Sequence, residues 1–144
     1  MTMQEAIESF IRRYTDFQGR SRRSEYWWVF LAGLIISIAW VFLTGLIGGG
    51  FGPEMNAIGL LLSGIMGLFF LAILIPSIAL AVRRFHDLGQ TGWLIVVFAI
   101  IGMVPIIGIL STIGLYIWFA LPGTVGPNKF GADPKGGHDV GVFS

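Results

Sequence analysis

At 144 residues the chain has the length of one domain, yet 55% of it is hydrophobic and only 12% is charged, with a mean hydropathy of +0.81. A soluble domain carries roughly 25% charged residues, so this chain has too little charge to cover a water-facing surface, while its hydrophobicity excludes disorder. The lack of cysteine excludes a disulfide scaffold and thiolate metal sites, and a net charge of +1 gives no electrostatic case for a nucleic-acid partner; what remains is an integral membrane protein.

Residues 2–14 read as an amphipathic helix. Thr2 and Glu5 have the spacing of a capping box, in which the hydroxyl and the carboxylate satisfy amides at a helix start. Met3, Ile7, Phe10, Ile11 and Tyr14 fall on one face. Next to a membrane span such a helix has two natural places, lying at headgroup level or packed on the adjoining loop.

Three apolar stretches follow. Residues 27–47 run 21 positions without a charge, about 31 Å as a helix against a hydrocarbon core of ~30 Å. Residues 57–82 give 26 uncharged positions, about 39 Å, with Pro76 inside, and residues 93–121 give 29, about 43 Å, with Pro105 inside. Backbone groups in lipid need internal partners, so these stretches must be helical. No signal-peptide pattern precedes the first, because 26 mostly polar residues come before it and no Ala-x-Ala site follows. The third stretch fits either a single span kinked at Pro105 or a hairpin broken near 102–108. Residues 122–144, with six glycines and three prolines, read as an irregular tail. The fold class is therefore an all-α polytopic bundle of three spans, or four helices if the third stretch is a hairpin, plus the N-terminal interfacial helix.

Arginine placement orients the bundle. Arg12, Arg13, Arg20, Arg22 and Arg23 precede the first stretch, none lies at 48–56, and Arg83 and Arg84 follow the second. The positive-inside rule puts the N-terminus and the loop at 83–92 in the cytoplasm, with 48–56 outside. Trp27, Trp28, Trp93 and Trp118 sit near stretch ends, as in an aromatic belt. Two rows of small residues, Gly33-Ser37-Thr44 and Gly59-Ser63-Gly67, read as faces where helices approach closely.

Three polar motifs flank the stretches. Phe17 to Trp28 read F-Q-G-R-S-R-R-S-E-Y-W-W, Val82 to Trp93 read V-R-R-F-H-D-L-G-Q-T-G-W, and Leu121 to Pro134 read L-P-G-T-V-G-P-N-K-F-G-A-D-P. Together, in order and over nearly the whole chain, they resemble the bacterial domain-of-unknown-function 805 family of YhaH-like inner-membrane proteins. Its pattern runs F-x-G-R-x-x-R-x-E-Y-W, then R-R-x-H-D-x-G-x-x-G-W, then P-G-T-x-G-x-N-x-[YF]-G. The resemblance implies the bacterial cytoplasmic membrane and supplies no activity.

The residues themselves allow two compatible readings. As a clamp, Glu25 pairs with Arg23, Arg83 or Arg84 to tie the first span to the second, since a carboxylate at membrane depth needs a partner. His86, Asp87 and Asn128 would join the same structure. As an anion site, Arg20, Arg23, Arg83 and Arg84 would hold a lipid phosphate. His86-Asp87 invites an acid–base or metal reading, but neighbours in sequence seldom face one another and His138 is the only other histidine. No catalytic residue, metal or cofactor is expected. The spans hold no charge, only Ser37, Thr44, Ser63, Ser77, Ser111, Thr112 and Tyr116, which argues against a proton-coupled pump.

The expectation is a non-enzymatic accessory or scaffold protein. Its cytoplasmic arginine-rich face would bind anionic lipid headgroups or a protein partner, which includes a second copy of itself. A small oligomeric transporter or channel is the alternative, and a lipid-modifying enzyme is third.

Overall fold

A computed structural model describes residues 1–50 and 54–136, which form five helices and no strand beyond an isolated Asn128–Gly131 bridge. In chain order the helices are α1 (Met3–Arg12), α2 (Arg23–Ile47), α3 (Ala57–Asp87), α4 (Leu94–Gly102) and α5 (Pro105–Ala120). Residues 51–53 and 137–144 lie outside the described residues. They take with them part of the loop expected at 48–56, the end of the tail and His138.

The capping box starts α1. Thr2 Oγ1 accepts from the Glu5 amide at 3.3 Å, and the Glu5 carboxylate accepts from the Thr2 amide at 2.7 Å. The buried face of α1 differs from the predicted apolar stripe. Ala6, Ser9 and Phe10 are inside, whereas Ile11 is 63% exposed. Ser9 has a buried partner on α2, Glu25, and turns inward with Ala6 and Phe10 on either side of it.

At about 37 Å and 46 Å, α2 and α3 are each long and apolar enough to cross a membrane. One asparagine joins them. Asn56 Oδ1 accepts from the Gly59 amide at 2.9 Å to cap α3, and its Nδ2 donates to the Ile47 carbonyl at 3.0 Å at the end of α2. Here the backbones touch, since a Cβ on Gly59 would lie 2.7 Å from the Gly48 carbonyl oxygen. The two small-residue rows expected to pack do so only in part. Gly59 and Thr44 are buried, but a Cβ at Gly33 or Gly67 would meet no atom within 4 Å.

Both long helices reach further than the uncharged stretches. α2 begins at Arg23, with Glu25 in its first turn where the dipole favours a carboxylate. α3 continues through Arg83, Arg84, His86 and Asp87, so these residues are helical and do not form the expected loop. Arg84 and Asp87 stand three apart on one face and pair there. The helix stops before Gly89, whose φ of +74° suits glycine.

Pro76 leaves a mark inside α3. It has no N–H, so the carbonyl of Ala72, four residues earlier, loses its helical partner. The Tyr14 hydroxyl, just past α1, donates to that carbonyl.

The stretch 93–121 is a hairpin. Met103 and Val104 break it, Pro105 opens α5 in the position where its missing N–H costs nothing, and a Cβ on Gly108 would lie 2.5 Å from the Gly102 carbonyl. Its two open ends return to the end of α3: Leu94, Ile95 and Phe98 from α4, with Leu115, Trp118 and Phe119 from α5, pack on Phe85 and its neighbours. Phe85 and Tyr26 each meet Phe119 edge-on at 4.8 Å. At about 13 Å and 24 Å, neither hairpin helix matches a ~30 Å hydrocarbon core.

The Tyr14 bond can be measured. Tyr14→Phe should lower stability by about 1–3 kcal/mol, because the Ala72 carbonyl is left unpaired. In a Pro76→Ala background, where alanine supplies the missing N–H, the same change should cost much less. Denaturant unfolding of all four proteins in micelles gives the cycle, and equal costs in the two backgrounds would rule the assignment out.

Candidate functional site

Adjacent residues on a helix point about 100° apart, so Arg83 and Arg84 at the end of α3 address different partners. Arg83 turns to the connection between α1 and α2. Its Nε donates to Ser21 Oγ at 3.0 Å, and its Nη1 donates to the carbonyls of Arg13 (3.1 Å) and Asp16 (2.9 Å). The Ser21 amide returns a bond to the Arg83 carbonyl at 3.1 Å. Its Nη2 lies 3.8 Å from Glu25 Oε1, beyond hydrogen-bond reach, and has no bonded partner among the described residues. Glu25 accepts from Ser9 Oγ at 2.9 Å, which fastens α1 to α2.

Arg84 turns to the end of α5. Its Nε (3.1 Å) and Nη2 (2.8 Å) both donate to the Phe119 carbonyl, and Nη2 also reaches the Leu121 carbonyl. The last carbonyls of a helix have no partner within it, and a cation there also suits the dipole. Arg84 thus caps α5 from another helix. Its Nη1 donates to Asp87 Oδ2.

Asp87 is where the network converges. Its Oδ1 accepts from Arg20 Nε at 3.0 Å and lies 2.9 Å from Arg20 Nη2 in an ion pair, while Oδ2 takes Arg84. Arg20 then reaches into the tail, donating to the carbonyls of Gly126 (2.6 Å) and Thr124 (2.5 Å). The Asp87 carbonyl accepts from the Thr124 amide at 2.8 Å and hydroxyl at 3.0 Å. Any side chain at Gly123 would run into the Asp87 carboxylate, which explains the glycine there. Arg20, Glu25, Arg83, Arg84 and Asp87 are all at most 5% exposed.

His86 and Asp87 do not act as a pair. The carboxylate is occupied by the two arginines, while His86 Nδ1 lies 3.0 Å from the Gly19 carbonyl, which can only accept, so Nδ1 carries the proton. The imidazole stacks on Phe130 with centroids 4.0 Å apart and planes 6° from parallel. Asn128 Nδ2 donates to the His86 carbonyl at 2.9 Å and to Thr124 Oγ1 at 2.8 Å, closing the tail over the end of α3.

The four arginines proposed for an anion do not make one open site. Arg20 and Arg84 turn their bonded N–H groups to carbonyls and the Asp87 carboxylate, and Arg83, fully buried, turns its own to the Ser21 hydroxyl and two carbonyls. Arg23 alone of the four is exposed, with Nη1 on the Ala120 carbonyl at 3.2 Å. Arg12 is also exposed and has no polar partner among the described residues. Sequence reasoning gave Ser9, Tyr14, Ser21 and Thr124 no role in the network: Ser21 and Thr124 stand inside the motifs but a hydroxyl does not name its partner, and for Tyr14 the signal was the carbonyl that Pro76 orphans.

Outside the helices, Asp16 is held below its ordinary carboxylate value. Desolvation is the largest single influence and pushes it up, but hydrogen bonds from the Arg13 side chain and the Gln18 amide, with the charge of Arg13, outweigh it together.

The family described as "Protein of unknown function (DUF805)" matches residues 14–132. Inner membrane protein YhaI of Escherichia coli (strain K12) is 36% identical over 133 residues, which cover 90% of this chain and 94% of that protein. Inner membrane protein YhaH of the same strain is 32% identical over 125 residues, covering 87% and 92% respectively. No solved structure matches.

Two measurements follow from the network. Asp87→Asn leaves two buried guanidinium groups without their counter-charge and should cost about 3–5 kcal/mol, whereas exposed Arg23→Gln should stay within roughly 0.5 kcal/mol. Denaturant midpoints in micelles compare them, and similar costs would contradict the buried network. Asp16 sets a pH dependence. Because its folded value is depressed, its contribution is present above the ordinary value of 3.8 and is lost as pH falls through the folded value. The stability gap between wild type and Asp16→Asn should therefore hold at neutral pH and close under acid; a gap that widens there would contradict the sign.

Proposed function

The chain belongs to the DUF805 family, and from that premise we propose that it is a multi-pass accessory protein of the bacterial inner membrane that binds anionic lipid headgroups at its cytoplasmic face. In this reading α2 and α3 cross the membrane and the N-terminus is cytoplasmic, because every arginine gathers at one end of the pair. The α4–α5 hairpin enters from that same end without crossing, and α1 lies at headgroup level. The inner-membrane names of YhaI and YhaH support the location.

One observation carries the headgroup assignment. With Arg20, Arg83 and Arg84 committed inside, Arg12 and Arg23 remain as exposed guanidinium groups beside the apolar helices. Juxtamembrane arginines attract anionic headgroups by about 1 kcal/mol each. The scaffold reading is favoured over a channel by the helix hydroxyls. Ser37, Ser77 and Thr112 each donate to a carbonyl of their own helix, at 2.7, 2.7 and 2.8 Å, so these hydroxyl protons are not offered to a polar path.

The test uses the full chain in nanodiscs of phosphatidylcholine with increasing phosphatidylglycerol, reading retained lipid by native mass spectrometry. Wild type should prefer phosphatidylglycerol, and that preference should weaken with salt. Arg12→Gln with Arg23→Gln should lower the preference by roughly thirtyfold, two arginines at about 1 kcal/mol each. An unchanged preference would overturn the proposal.

A further inference from the structure

Where α2 and α3 touch backbone to backbone, at Gly48 and Gly59, no space is left between them. Toward the arginine end they leave a crevice of about 500 Å³, roofed by Ile7 and Ile11 of α1. Binding cavities for small ligands span about 300–1,000 Å³, so this volume can hold a molecule. We infer that the crevice takes one acyl chain of a phospholipid from the cytoplasmic leaflet, a conclusion that rests on the orientation and headgroup reading proposed above.

Length is the first argument. On α2 the crevice runs from Tyr26 to Ser37, about 16 Å along the axis, and on α3 from Phe69 to Ala81, about 18 Å. Half of a ~30 Å hydrocarbon core is about 15 Å. The crevice is one leaflet long, starts just inside the polar network and ends near mid-membrane.

Its walls fit a hydrocarbon. Of the polar side chains along them, Tyr26 stands at the arginine end, while Ser37 and Ser77, deeper in, turn their hydroxyls back to the Gly33 and Ile73 carbonyls and offer no donor to a guest. Gly33 opens the wall further, since a Cβ there would meet nothing within 4 Å. Charge at the mouth is complementary to a phospholipid. Exposed Arg23 precedes Tyr26, the residue of α2 at the arginine end of the crevice, by one turn, whereas Arg12 lines a polar hollow with Glu5 and Glu8. An acyl chain in the crevice therefore has its phosphate at the depth of the exposed Arg23 guanidinium, whose remaining N–H groups can meet it.

The experiment places the full chain in nanodiscs containing phosphatidylglycerol with a diazirine in one acyl chain, and maps adducts after illumination. Adducts should concentrate on Ser37 and Ile73, above the outward-facing Ile35 and Leu74, which are 53% and 51% exposed. Adducts spread in proportion to exposure would overturn the inference. Gly33→Leu, whose side chain enters open space, should lower crevice adducts about tenfold, the loss when roughly two methylenes no longer fit. Unchanged adducts would again overturn it. Should Gly33→Leu fail to insert, Ser37→Leu fills the same wall and must give the same fall. Repeating the mapping with the phosphatidylethanolamine analogue separates the two claims. Crevice adducts equal for both headgroups would sink the headgroup preference and support the crevice; no concentration with either lipid would sink the crevice itself.

Discussion

A guanidinium group cannot shed its charge inside a protein, so an arginine drawn into the interior must find acceptors, and the chain must bring them. Arg84 imposes this requirement most severely. Fully buried at the end of α3, it takes the carbonyls of Phe119 and Leu121 together with the carboxylate of Asp87. Those carbonyls are among the ones that the end of α5 leaves without helical partners. One side chain therefore meets the needs of a buried cation and an uncapped helix at once, and it does so only if α5 ends beside α3.

That condition shapes the second half of the chain. α4 leaves from the end of α3, so α5 can end there only if the apolar stretch turns back on itself. Pro105 and the close approach of Gly108 to Gly102 provide the turn. The tail then emerges next to Asp87, where Arg20 joins it to the N-terminal segment through the Thr124 and Gly126 carbonyls. Arg83 repeats the device on the other side of α3, with the carbonyls of Arg13 and Asp16. The three buried arginines act as struts between backbone segments that share no regular structure. Such a network is costly to leave half made, because each removed partner strands a buried charge.

Much of this is legible in the sequence. Uncharged length located the long helices, the capping box located α1, and the Pro105 region offered the hairpin as one of two choices. Glu25 needed a cation and meets Arg83, although at 3.8 Å and with Ser9 as its hydrogen-bonding partner. What sequence could not supply was the direction of the arginines. Counting positive charges treats Arg20, Arg23, Arg83 and Arg84 alike, yet whether each faces water or a carbonyl depends on backbone segments up to 106 residues away. Backbone carbonyls are the same at every position and leave no trace in a sequence, so acceptors of this kind are invisible there. The small-residue rows misled for a related reason. Glycine permits close approach without requiring it, and Gly33 faces a crevice where Gly59 faces a backbone.

Buried arginines hold the N-terminal segment and the tail at one end of the α2–α3 pair. With no native cysteine, single cysteines can be placed at exposed Gln18, Glu54 and Ala132 and probed in intact cells with a membrane-impermeant thiol reagent. Cysteines at Gln18 and Ala132 should behave alike, protected until the membrane is opened, while the one at Glu54 is labelled from outside. Labelling of Ala132→Cys together with Glu54→Cys in intact cells would put the tail across the membrane from Arg20 and contradict the account.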